Sequence, residues 1–352
     1  MNFSDLLHEY LREREQNNHF SGVVLITQGS TQLYSAAYGY ASRAWKINNT
    51  LDMRFDTASM TKVFTAVATL QLIERGLITF QTSAVELVGL QNTAISKAVN
   101  VYHLLTHTSG IADDAEEEEG EDYEDVWKTK PNYSVMTTAD FLPQFVHKPP
   151  NFAPGEGCRY CNVGYILLGL MIEKVSGMPY RDYVRRNIFE RAGMLHSDFC
   201  RMDRVNENVA EGCDPIYDDT NTLTEWKKNI YSFPPIGSPD SGALVTAGDV
   251  DIFLKALKKG QLLSAELTED LLKPKAFDHE TEKYVVKFGY GLDFYQMKSG
   301  HFSFYQKDGV NAGVSGTMRH YPAQDLNVIV LSNMAKGAWE PVKRIHDFIC
   351  EA

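Results

Sequence analysis

The sequence predicts an α+β fold, in which an antiparallel sheet is flanked by N- and C-terminal helices and interrupted by an inserted, mostly helical region. Strand patterns occur near both ends of the chain, and helical or irregular patterns fill the stretch between them. Near the start, two strand patterns are separated only by a short turn, which is the arrangement of an antiparallel hairpin. Strands at both ends with helices between them are typical of an α+β domain that carries an insertion.

The amino-terminal part begins with a charged amphipathic helix over residues 3–16. Val23–Thr27 follows as a strand, and after a short turn Gln32–Tyr40 is its return strand. A second helix, Thr61–Arg75, carries apolar residues around nearly its whole circumference. A helix that is apolar all round is expected in the middle of the protein.

The middle of the chain is predicted to be helical or irregular, with helices over Asn162–Ser176 and Tyr180–Ala192. Strand patterns return towards the end and a helix closes the chain: Gly289–Tyr295, His301–Gln306, Thr317–Tyr321, Leu326–Leu331 and the helix Trp339–Cys350. We therefore expect residues 1–80 and 236–352 to form one discontinuous sheet domain. Residues 81–235 would form a helical region, with the functional site at the interface of the two.

The composition is that of a globular protein of 352 residues, with 43% apolar and 23% charged side chains. The formal net charge of −12 argues against nucleic acid or an anionic membrane as a partner. Much of the acidity is local, because ten of the thirteen residues from Asp113 to Asp125 are Asp or Glu. Such a run is typical of a solvated, mobile loop.

The start of the chain lacks a basic flank followed by an apolar run. The longest uncharged apolar stretch is Val163–Ile172, ten residues, which suits a buried helix and is too short for a membrane span. If Met1 is the native start, these features predict a cytoplasmic protein with no membrane partner.

Two residue pairs have spacings that occur in metal or redox sites. Cys158 and Cys161 form the one C-x-x-C of the chain, and we interpret them as packing thiols, with a regulatory disulfide as the alternative. His103 and His107 are four residues apart, but the Glu that completes a metalloprotease motif does not follow His103. Neither a metal nor a cofactor is predicted.

The pattern with the clearest chemistry is Ser59-Met60-Thr61-Lys62, at the head of the second helix. Residues three apart share one face of a helix, so the hydroxyl of Ser59 and the amine of Lys62 are expected to be neighbours. An amine whose pKa is lowered by burial can take the proton of a hydroxyl and make it a nucleophile. The helix N-terminus adds N–H groups and partial positive charge where an oxyanion would form. These are the parts of an acyl-transfer site, although Ser-x-x-Lys alone is a weak signal.

Such a site also needs a group that carries a proton to the leaving atom. Tyr160-Cys161-Asn162 is the one Tyr-x-Asn in the chain and lies between a Pro-Gly turn and a helix, where a side chain can project into a cleft. Two nearby lysines are expected to lower the pKa of Tyr160, so that it could act as a base.

A second cation would help to hold a substrate, and three Lys-x-Gly sequences are candidates for it. Those at Lys258 and Lys298 fit a helix end and a hairpin turn. Lys307-Asp308-Gly309 follows a strand pattern, and a strand edge offers N–H groups beside which a ligand can lie. We therefore choose Lys307.

In this order, Ser-x-x-Lys, Tyr-x-Asn and Lys-x-Gly resemble the motifs of the serine β-lactamase and penicillin-binding protein superfamily. The Tyr-x-Asn form resembles the class C branch, which also holds esterases and D-amino-acid peptidases. Further blocks extend the resemblance over nearly the whole chain. They are Leu104–Ile111, similar to LLTHTSGL, Pro154–Gly169, similar to PGxxxxYSNxGYxLLG, Ser241–Asp249, similar to GGLxSTAxD, and Lys307–Pro322, similar to HDGGxxG…P.

The resemblance implies a β-lactamase/transpeptidase-like fold and a role for each motif residue. Ser59 would be the nucleophile and Lys62 its proton partner. Tyr160 would be the general base, and Asn162 would bind the substrate amide or orient Lys62. The oxyanion hole would consist of the backbone N–H groups of Ser59 and Val310.

Lys307, with Asp308 and Gly309 beside it, would lower the pKa of Tyr160 and attract a substrate carboxylate. The sequence departs from the family pattern at two positions. Cys161 occupies the middle of Tyr-x-Asn, where Ser, Ala or Gly is usual, and is expected to point away from the cleft. Asp308 stands where β-lactamases carry Thr or Ser, and its carboxylate would repel an anionic drug.

The predicted function is a serine hydrolase that cleaves an ester or amide bond through an acyl-enzyme on Ser59, of the esterase or small-peptidase type, with a small-molecule ester, amide or peptide as its partner. One alternative is a β-lactamase or D-Ala-D-Ala carboxypeptidase, and another is a catalytically silent scaffold of the same fold. By the same resemblance, the segment Asp113–Asp125 would border the cleft and could favour cationic or amine-bearing substrates.

Overall fold

The computed structural model describes residues 3–300 and 302–351. The strands are β1 Gly22–Gln28, β2 Thr31–Tyr38, β3 Tyr40–Ser42, β4 Ile47–Asn48, β5 Phe55–Asp56, β6 Cys213–Tyr217, β7 Leu223–Lys228, β8 Leu244–Val245, β9 Ala276–Glu280, β10 Tyr284–Phe288, β11 Asp293–Met297, β12 Phe302–Asn311, β13 Val314–Tyr321 and β14 Leu326–Ser332. The α-helices are α1 Phe3–Gln16, α2 Thr61–Glu74, α3 Ala84–Val88, α4 Val101–Leu105, α5 Tyr123–Thr129, α6 Asn162–Ser176, α7 Tyr180–Val184, α8 Glu190–Ala192, α9 Ala247–Lys258, α10 Ala265–Leu271 and α11 Trp339–Glu351.

One large antiparallel sheet organises the molecule. Within the described residues it has eight strands in the order β2-β1-β14-β13-β12-β11-β10-β9. The first strand of the chain thus pairs with the last, with Val24 opposite Val330. This pairing places both ends of the chain in one sheet, with the inserted region between them in sequence. It confirms the predicted α+β architecture.

The central strands of the sheet are buried on both faces, as β13 and β14 show along their whole length. Successive side chains of a strand point to opposite faces. Val24 and Ile26 of β1 pack with α1 and α11 on one face. Val23 and Leu25 belong to the larger core on the other face, which contains α2 and α6. The sheet is therefore flanked by the N- and C-terminal helices on one side and by the inserted helices on the other.

Helix α2 lies between the sheet and the inserted helices. Every residue from Thr61 to Leu72 is buried, including the polar ones. This helix begins directly after a short 3₁₀ turn, Ala58–Met60. A buried helix of this kind holds its start in a fixed position. Ser59 lies in the 3₁₀ turn and Lys62 in the first turn of α2.

Several strand predictions need correction. The strand predicted over Gly289–Tyr295 begins later than expected, because β11 starts at Asp293. Before it the chain forms a turn, in which the N–H of Gly289 donates to the carbonyl of Leu292 at 2.7 Å. The region 81–235 was predicted to lack strands, yet it contains the hairpin β6–β7. Strands β9 and β10 were also missed. Strands β7 and β9 expose charged residues and so lack the half-buried alternation that identifies a strand.

Other predictions match the structure closely. Val23–Thr27 and Leu326–Leu331 lie within β1 and β14. The strand predicted from His301 is present as β12 from residue 302, and His301 itself lies outside the described residues. The proposed division into two domains stays a prediction. Among the described helices, none has both the length and the apolar character needed to cross a membrane.

Candidate active site

The candidate nucleophile Ser59 lies in the 3₁₀ turn that precedes α2. Ala58 has a φ of 42°, a left-handed backbone conformation that is uncommon for a residue with a Cβ. Its N–H donates to the carboxylate of Asp56 at 2.7 Å, and the hydroxyl of Thr57 donates to the carbonyl of Ala243 at 2.8 Å. Strained backbone of this kind persists only where neighbouring contacts hold it, so the position of Ser59 is well determined.

Lys62 follows one turn later and its side chain is completely buried. Its Nζ lies 3.0 Å from the hydroxyl of Ser59, 2.8 Å from Oδ1 of Asn162 and 2.9 Å from the backbone carbonyl of Asp240. Burial lowers the pKa of Lys62, although nearby carboxylates, first that of Asp240, oppose the shift. The amine is thus directed at the hydroxyl and is easier to deprotonate than an ordinary lysine.

Tyr160 completes this group, since Ser59 is near enough to its hydroxyl to affect its pKa. Lys62 Nζ lies 5.0 Å and Lys307 Nζ 4.8 Å from the centre of its ring. Burial raises the pKa of Tyr160 and is the largest effect on it. Lys307 lowers this pKa, as expected, and so does Ser59, but the net shift is upward and not downward. Tyr160 is therefore a neutral phenol.

His107 supports Tyr160 from behind. The two rings are tilted by 30° with centres 4.6 Å apart, and Nδ1 of His107 accepts the N–H of Cys161 at 3.1 Å. Burial and the charges of Lys307 and Lys62 hold the pKa of His107 well below its usual range, so Nδ1 stays free to accept. His107 thus has a structural position in the site, and no cluster of three or more metal-ligating side chains occurs in the part of the chain that the structure describes.

The two cysteines beside Tyr160 are separate thiols. The thiol of Cys161 is buried and lies 3.6 Å from the carbonyl of Ile111, while that of Cys158 lies 3.8 Å from the carbonyl of Thr106. Burial raises the pKa of Cys158 to about 12 and that of Cys161 well above its ordinary value. Both are poor thiolates, as packing cysteines are.

Asn162 is the first residue of α6 and is 6% exposed. Its side chain faces two ways, because Oδ1 accepts from Lys62 while Nδ2 donates to Oε2 of Glu117 at 3.2 Å. The carboxylate of Asp113 accepts the backbone N–H groups of Asn162 and Val163 at 2.7 and 3.0 Å and so caps the helix. Burial raises the pKa of Asp113 to about 6, against the effect of these hydrogen bonds.

Lys307 lies on β12 at the point where pairing with β11 ends, since Gln306 opposite Asp293 is the last pair. Its Nζ is 3.3 Å from both carboxylate oxygens of Asp293. Burial alone would lower the pKa of Lys307, but Asp293 and Tyr160 raise it, and the net shift is upward. Lys307 therefore stays a cation.

Gly309 brings β12 against the nucleophile turn. A Cβ at this position would lie 2.1 Å from the carbonyl oxygen of Thr57 and 3.1 Å from the backbone nitrogen of Ser59. The next residue, Val310, has a half-exposed side chain at the mouth of the site. This close approach is what would let the N–H groups of Ser59 and Val310 serve one oxyanion.

Asp308 lines the cavity beside these groups. Its Oδ2 accepts the side-chain N–H of Gln306 at 2.6 Å. Burial raises the pKa of Asp308, although Arg319, Thr317 and Lys307 oppose the shift. A carboxyl group therefore lies beside Lys307, where the family resemblance implies a hydroxyl.

These groups surround a cavity of about 210 Å³. It is lined by seven of the predicted residues, Ser59, Tyr160, Asn162, Lys307, Asp308, Gly309 and Val310, and by Glu117, Tyr123, Asp240, Ser241, Asp293 and Asn311. Lys62 lies behind them, bonded to Ser59. The structure thus brings all the sequence-predicted site residues together.

Six lining residues were not among the predicted site residues, and three of these six are acidic: Glu117, Asp240 and Asp293. Asp240 directly precedes the Ser241–Asp249 block, which was a usable signal. Glu117 belongs to the acidic segment, and its position at the cavity bears out the interpretation that this segment borders the cleft. Asp293 sits at the start of a strand and carries no local signal.

The interpretation of the acidic segment as a solvated loop is wrong for its first part. Asp113 and Asp114 are 4% and 8% exposed. The segment then forms the 3₁₀ turn Glu117–Glu119 and leads into α5. The side chains of Asp113, Glu117 and Glu118 accept hydrogen bonds from residues 160–163, so this part of the segment is ordered against the site.

Comparison with known proteins gives concordant matches. A family model described as Beta-lactamase matches residues 7–346. A penicillin-binding protein from Bacillus halodurans is 36% identical and superimposes with a TM-score of 0.89 over 97% of this chain and 99% of that one. Penicillin-binding protein 4* of Bacillus subtilis is 33% identical over 192 residues, which cover 53% of this chain and 39% of that protein. The D-amino acid amidase of Ochrobactrum anthropi SV3, 21% identical with a TM-score of 0.79 over 99% of both chains, shares the fold.

The contact at Gly309 gives a direct test of the site geometry. In Gly309→Ala the new methyl group must push β12 away from the carbonyl of Thr57, which separates Val310 from Ser59. We expect the rate of Ser59 labelling by a fluorophosphonate to fall by about a hundredfold, because small displacements of reacting groups have effects of this size. Thermal unfolding serves as the control for folding, and labelling at the normal rate in a folded variant would refute the geometry.

Proposed function

Because this chain belongs to the β-lactamase family of serine hydrolases, we propose that Ser59 attacks the carbonyl carbon of an ester or amide and is transiently acylated. The fold is β-lactamase/transpeptidase-like. The observation that carries the assignment is the buried amine of Lys62, which lies 3.0 Å from the hydroxyl of Ser59 at the base of an open cavity. A hydroxyl paired with an amine of lowered pKa is an activated nucleophile.

In the first half of the reaction, Lys62 accepts the proton of Ser59 as the oxygen bonds to the carbonyl carbon. Asn162 and the carbonyl of Asp240 hold the amine in place during this transfer. The N–H groups of Ser59 and Val310 stabilise the negative carbonyl oxygen. Tyr160, a neutral phenol near Ser59, gives its own proton to the leaving atom and becomes a phenolate.

In the second half, water replaces the leaving group and attacks the acyl carbon. The phenolate of Tyr160 accepts a proton of this water, and the protonated amine of Lys62 returns its proton to the oxygen of Ser59, so both groups regain their starting states. Lys307 keeps the electrostatic environment of Tyr160 positive, since it lies 4.8 Å from the ring and remains charged. The roles of both residues are proposals that variants can test.

The substrate is an ester or small amide that is uncharged or carries an amine near the scissile bond. Four acidic residues, Glu117, Asp240, Asp293 and Asp308, line the cavity at Ser59, and Lys307 lines it as well. Burial raises the pKa of Asp293 to about 6, and Lys307 opposes the shift. Asp293 pairs with Lys307 and balances much of its charge. The other acidic residues of the lining therefore favour a substrate that carries a positive charge.

A second cavity of about 280 Å³ continues this surface, because it shares Glu117, Tyr123, Val310 and Asn311 with the first. It adds the carboxylates of Asp122, Glu124 and Asp214. A substrate extending from Ser59 in this direction would meet acidic side chains.

A penicillin-binding or β-lactamase function is the second candidate, since the more similar relatives are named penicillin-binding proteins. Such enzymes would have to hold a carboxylate beside Lys307. Asp308 and Asp293 on either side of that lysine repel a carboxylate, and we therefore rank this function below the hydrolysis of neutral or amine-bearing esters and amides. A silent scaffold is ranked lower still, because usable groups fill every side-chain role. The cytoplasmic location stays a prediction.

Two variants test the roles of Ser59 and Lys62. Ser59→Ala removes the attacking oxygen, and Lys62→Arg replaces the amine by a guanidinium that cannot give up its proton. We expect each to reduce kcat/KM for a p-nitrophenyl ester by about a thousandfold or more. Mass spectrometry should show a fluorophosphonate adduct on the peptide containing Ser59 in the wild type only.

The exposed Lys259→Arg is the matched control and should retain normal turnover. Near-normal rates in Ser59→Ala or Lys62→Arg would refute the role assignment. An adduct with penicillin on Ser59 would favour the second candidate, and a wild type that reacts with neither reagent would favour the scaffold.

The acidic lining predicts a preference for substrate charge. We expect kcat/KM for an ester bearing an ammonium group to exceed that for its isosteric carboxylate by about tenfold or more at low ionic strength. The difference should shrink as salt is raised, because solvent ions screen the exposed Glu117 and the charged ester as it approaches the cavity. A neutral ester of the same shape, measured in parallel, should show little dependence on salt; equal salt slopes for all three esters would remove this part of the proposal.

A further inference from the structure

Four consecutive glutamates, Glu116–Glu119, contact the segment that carries Tyr160 and Asn162. We call these four residues the acidic clamp. The carboxylates of Glu116 and Glu119 pair with the guanidinium of Arg159 at 2.7 and 3.0 Å. Both ends of the short 3₁₀ turn in the clamp are therefore anchored to the residue that precedes Tyr160.

The two central members of the acidic clamp reach the site itself. Oε1 of Glu118 accepts the backbone N–H of Tyr160 at 3.2 Å. Oε2 of Glu117 accepts the side-chain N–H of Asn162 at 3.2 Å. The backbone of one proposed catalytic residue and the side chain of another are thus held by adjacent glutamates.

The acidic clamp is itself fixed in shape by the chain around it. Oε1 of Glu116 accepts the backbone N–H of Asp113 at 2.8 Å, and the N–H of Glu116 donates to Glu121 at 2.9 Å. Gly120, with a φ of 88°, closes the turn. Since Asp113 also caps α6 at Asn162, the clamp and the helix share one anchor.

The contact to Asn162 has a specific consequence because the two ends of an amide differ. The oxygen end accepts hydrogen bonds and the nitrogen end donates them. Oδ1 of Asn162 must face Lys62, and a reversed amide would place N–H groups against the amine. A carboxylate can only accept, so Glu117 selects the orientation in which Nδ2 faces the carboxylate and Oδ1 faces Lys62.

We propose that the acidic clamp is a positioning device for the catalytic centre, in which Glu117 is a positioning residue that fixes the side-chain amide of Asn162 and thereby the amine of Lys62. The catalytic part of this inference rests on the proposed function. Glu117 itself is an exposed residue, and substitutions at exposed positions usually change stability little. Its removal should therefore change turnover more than folding.

Two substitutions separate the hydrogen bond from the charge. Glu117→Gln loses the charge but keeps an oxygen that can accept from Asn162, whereas Glu117→Ala loses both. On a neutral ester we expect Glu117→Ala to lower kcat by about tenfold to a hundredfold with KM changed by less than about threefold. We expect Glu117→Gln to stay within about threefold of the wild type. Glu266→Ala, at an exposed position on α10, is the matched control for loss of a glutamate.

A spectroscopic readout keeps this inference separate from the proposed function. The side-chain amide signals of Asn162, assigned by their loss in Asn162→Asp, should shift or broaden in Glu117→Ala and remain in place in Glu117→Gln. Unchanged signals in Glu117→Ala would overturn the inference, whatever the enzyme does. If the signals shift in Glu117→Ala but the wild type is not labelled at Ser59 by a fluorophosphonate, the proposed function is overturned and the positioning of Asn162 is not. Equal loss of kcat in both variants would show that charge is what matters and would also overturn the positioning role.

Discussion

The arrangement of the site depends on one constraint, the complete burial of the Lys62 amine among three neutral hydrogen-bond acceptors. These are a hydroxyl, a side-chain amide and a backbone carbonyl, from Ser59, Asn162 and Asp240. They come from the head of α2, the start of α6 and the loop before β8. A buried ammonium is unfavourable by several kcal/mol unless it is well paired. The three elements must therefore meet at one point, and a lowered pKa reduces the penalty further.

The two buried lysines of the site show how the identity of a partner decides the state of a group. Lys62 is bonded to uncharged acceptors, and burial lowers its pKa. Lys307 is equally enclosed, but the carboxylate of Asp293 beside it shifts its pKa upward. The lowered pKa of Lys62 suits its proposed role as the acceptor of a proton, and the raised pKa of Lys307 keeps Lys307 a cation. The division of labour follows from the partners, since the two side chains are chemically the same.

The sequence could predict those features that leave a local trace. The sequence alone indicated the burial of α2, from its all-apolar pattern, and the hairpin β1–β2. It also indicated the motif residues Ser59, Lys62 and Tyr160 as candidates for the site. The rest could not be predicted, because it consists of tertiary relations. Asp293 becomes part of the site only through its pairing with Lys307, and the acidity of Tyr160 depends on how deeply the fold buries it. Strand β9 was not predicted, because its exposed charged residues lack the alternation of buried and exposed positions that identifies a strand.

The most direct test of the account is the pKa of the Lys62 side chain itself, measured by an NMR titration of labelled lysine side chains with Lys62→Arg to assign the signal. The account predicts a midpoint for Lys62 below the ordinary lysine value of 10.5, and one for Lys307 above it. A Lys62 amine that titrates at or above 10.5 would be a permanently charged group at neutral pH, which could not take the proton of Ser59, and the account would fail.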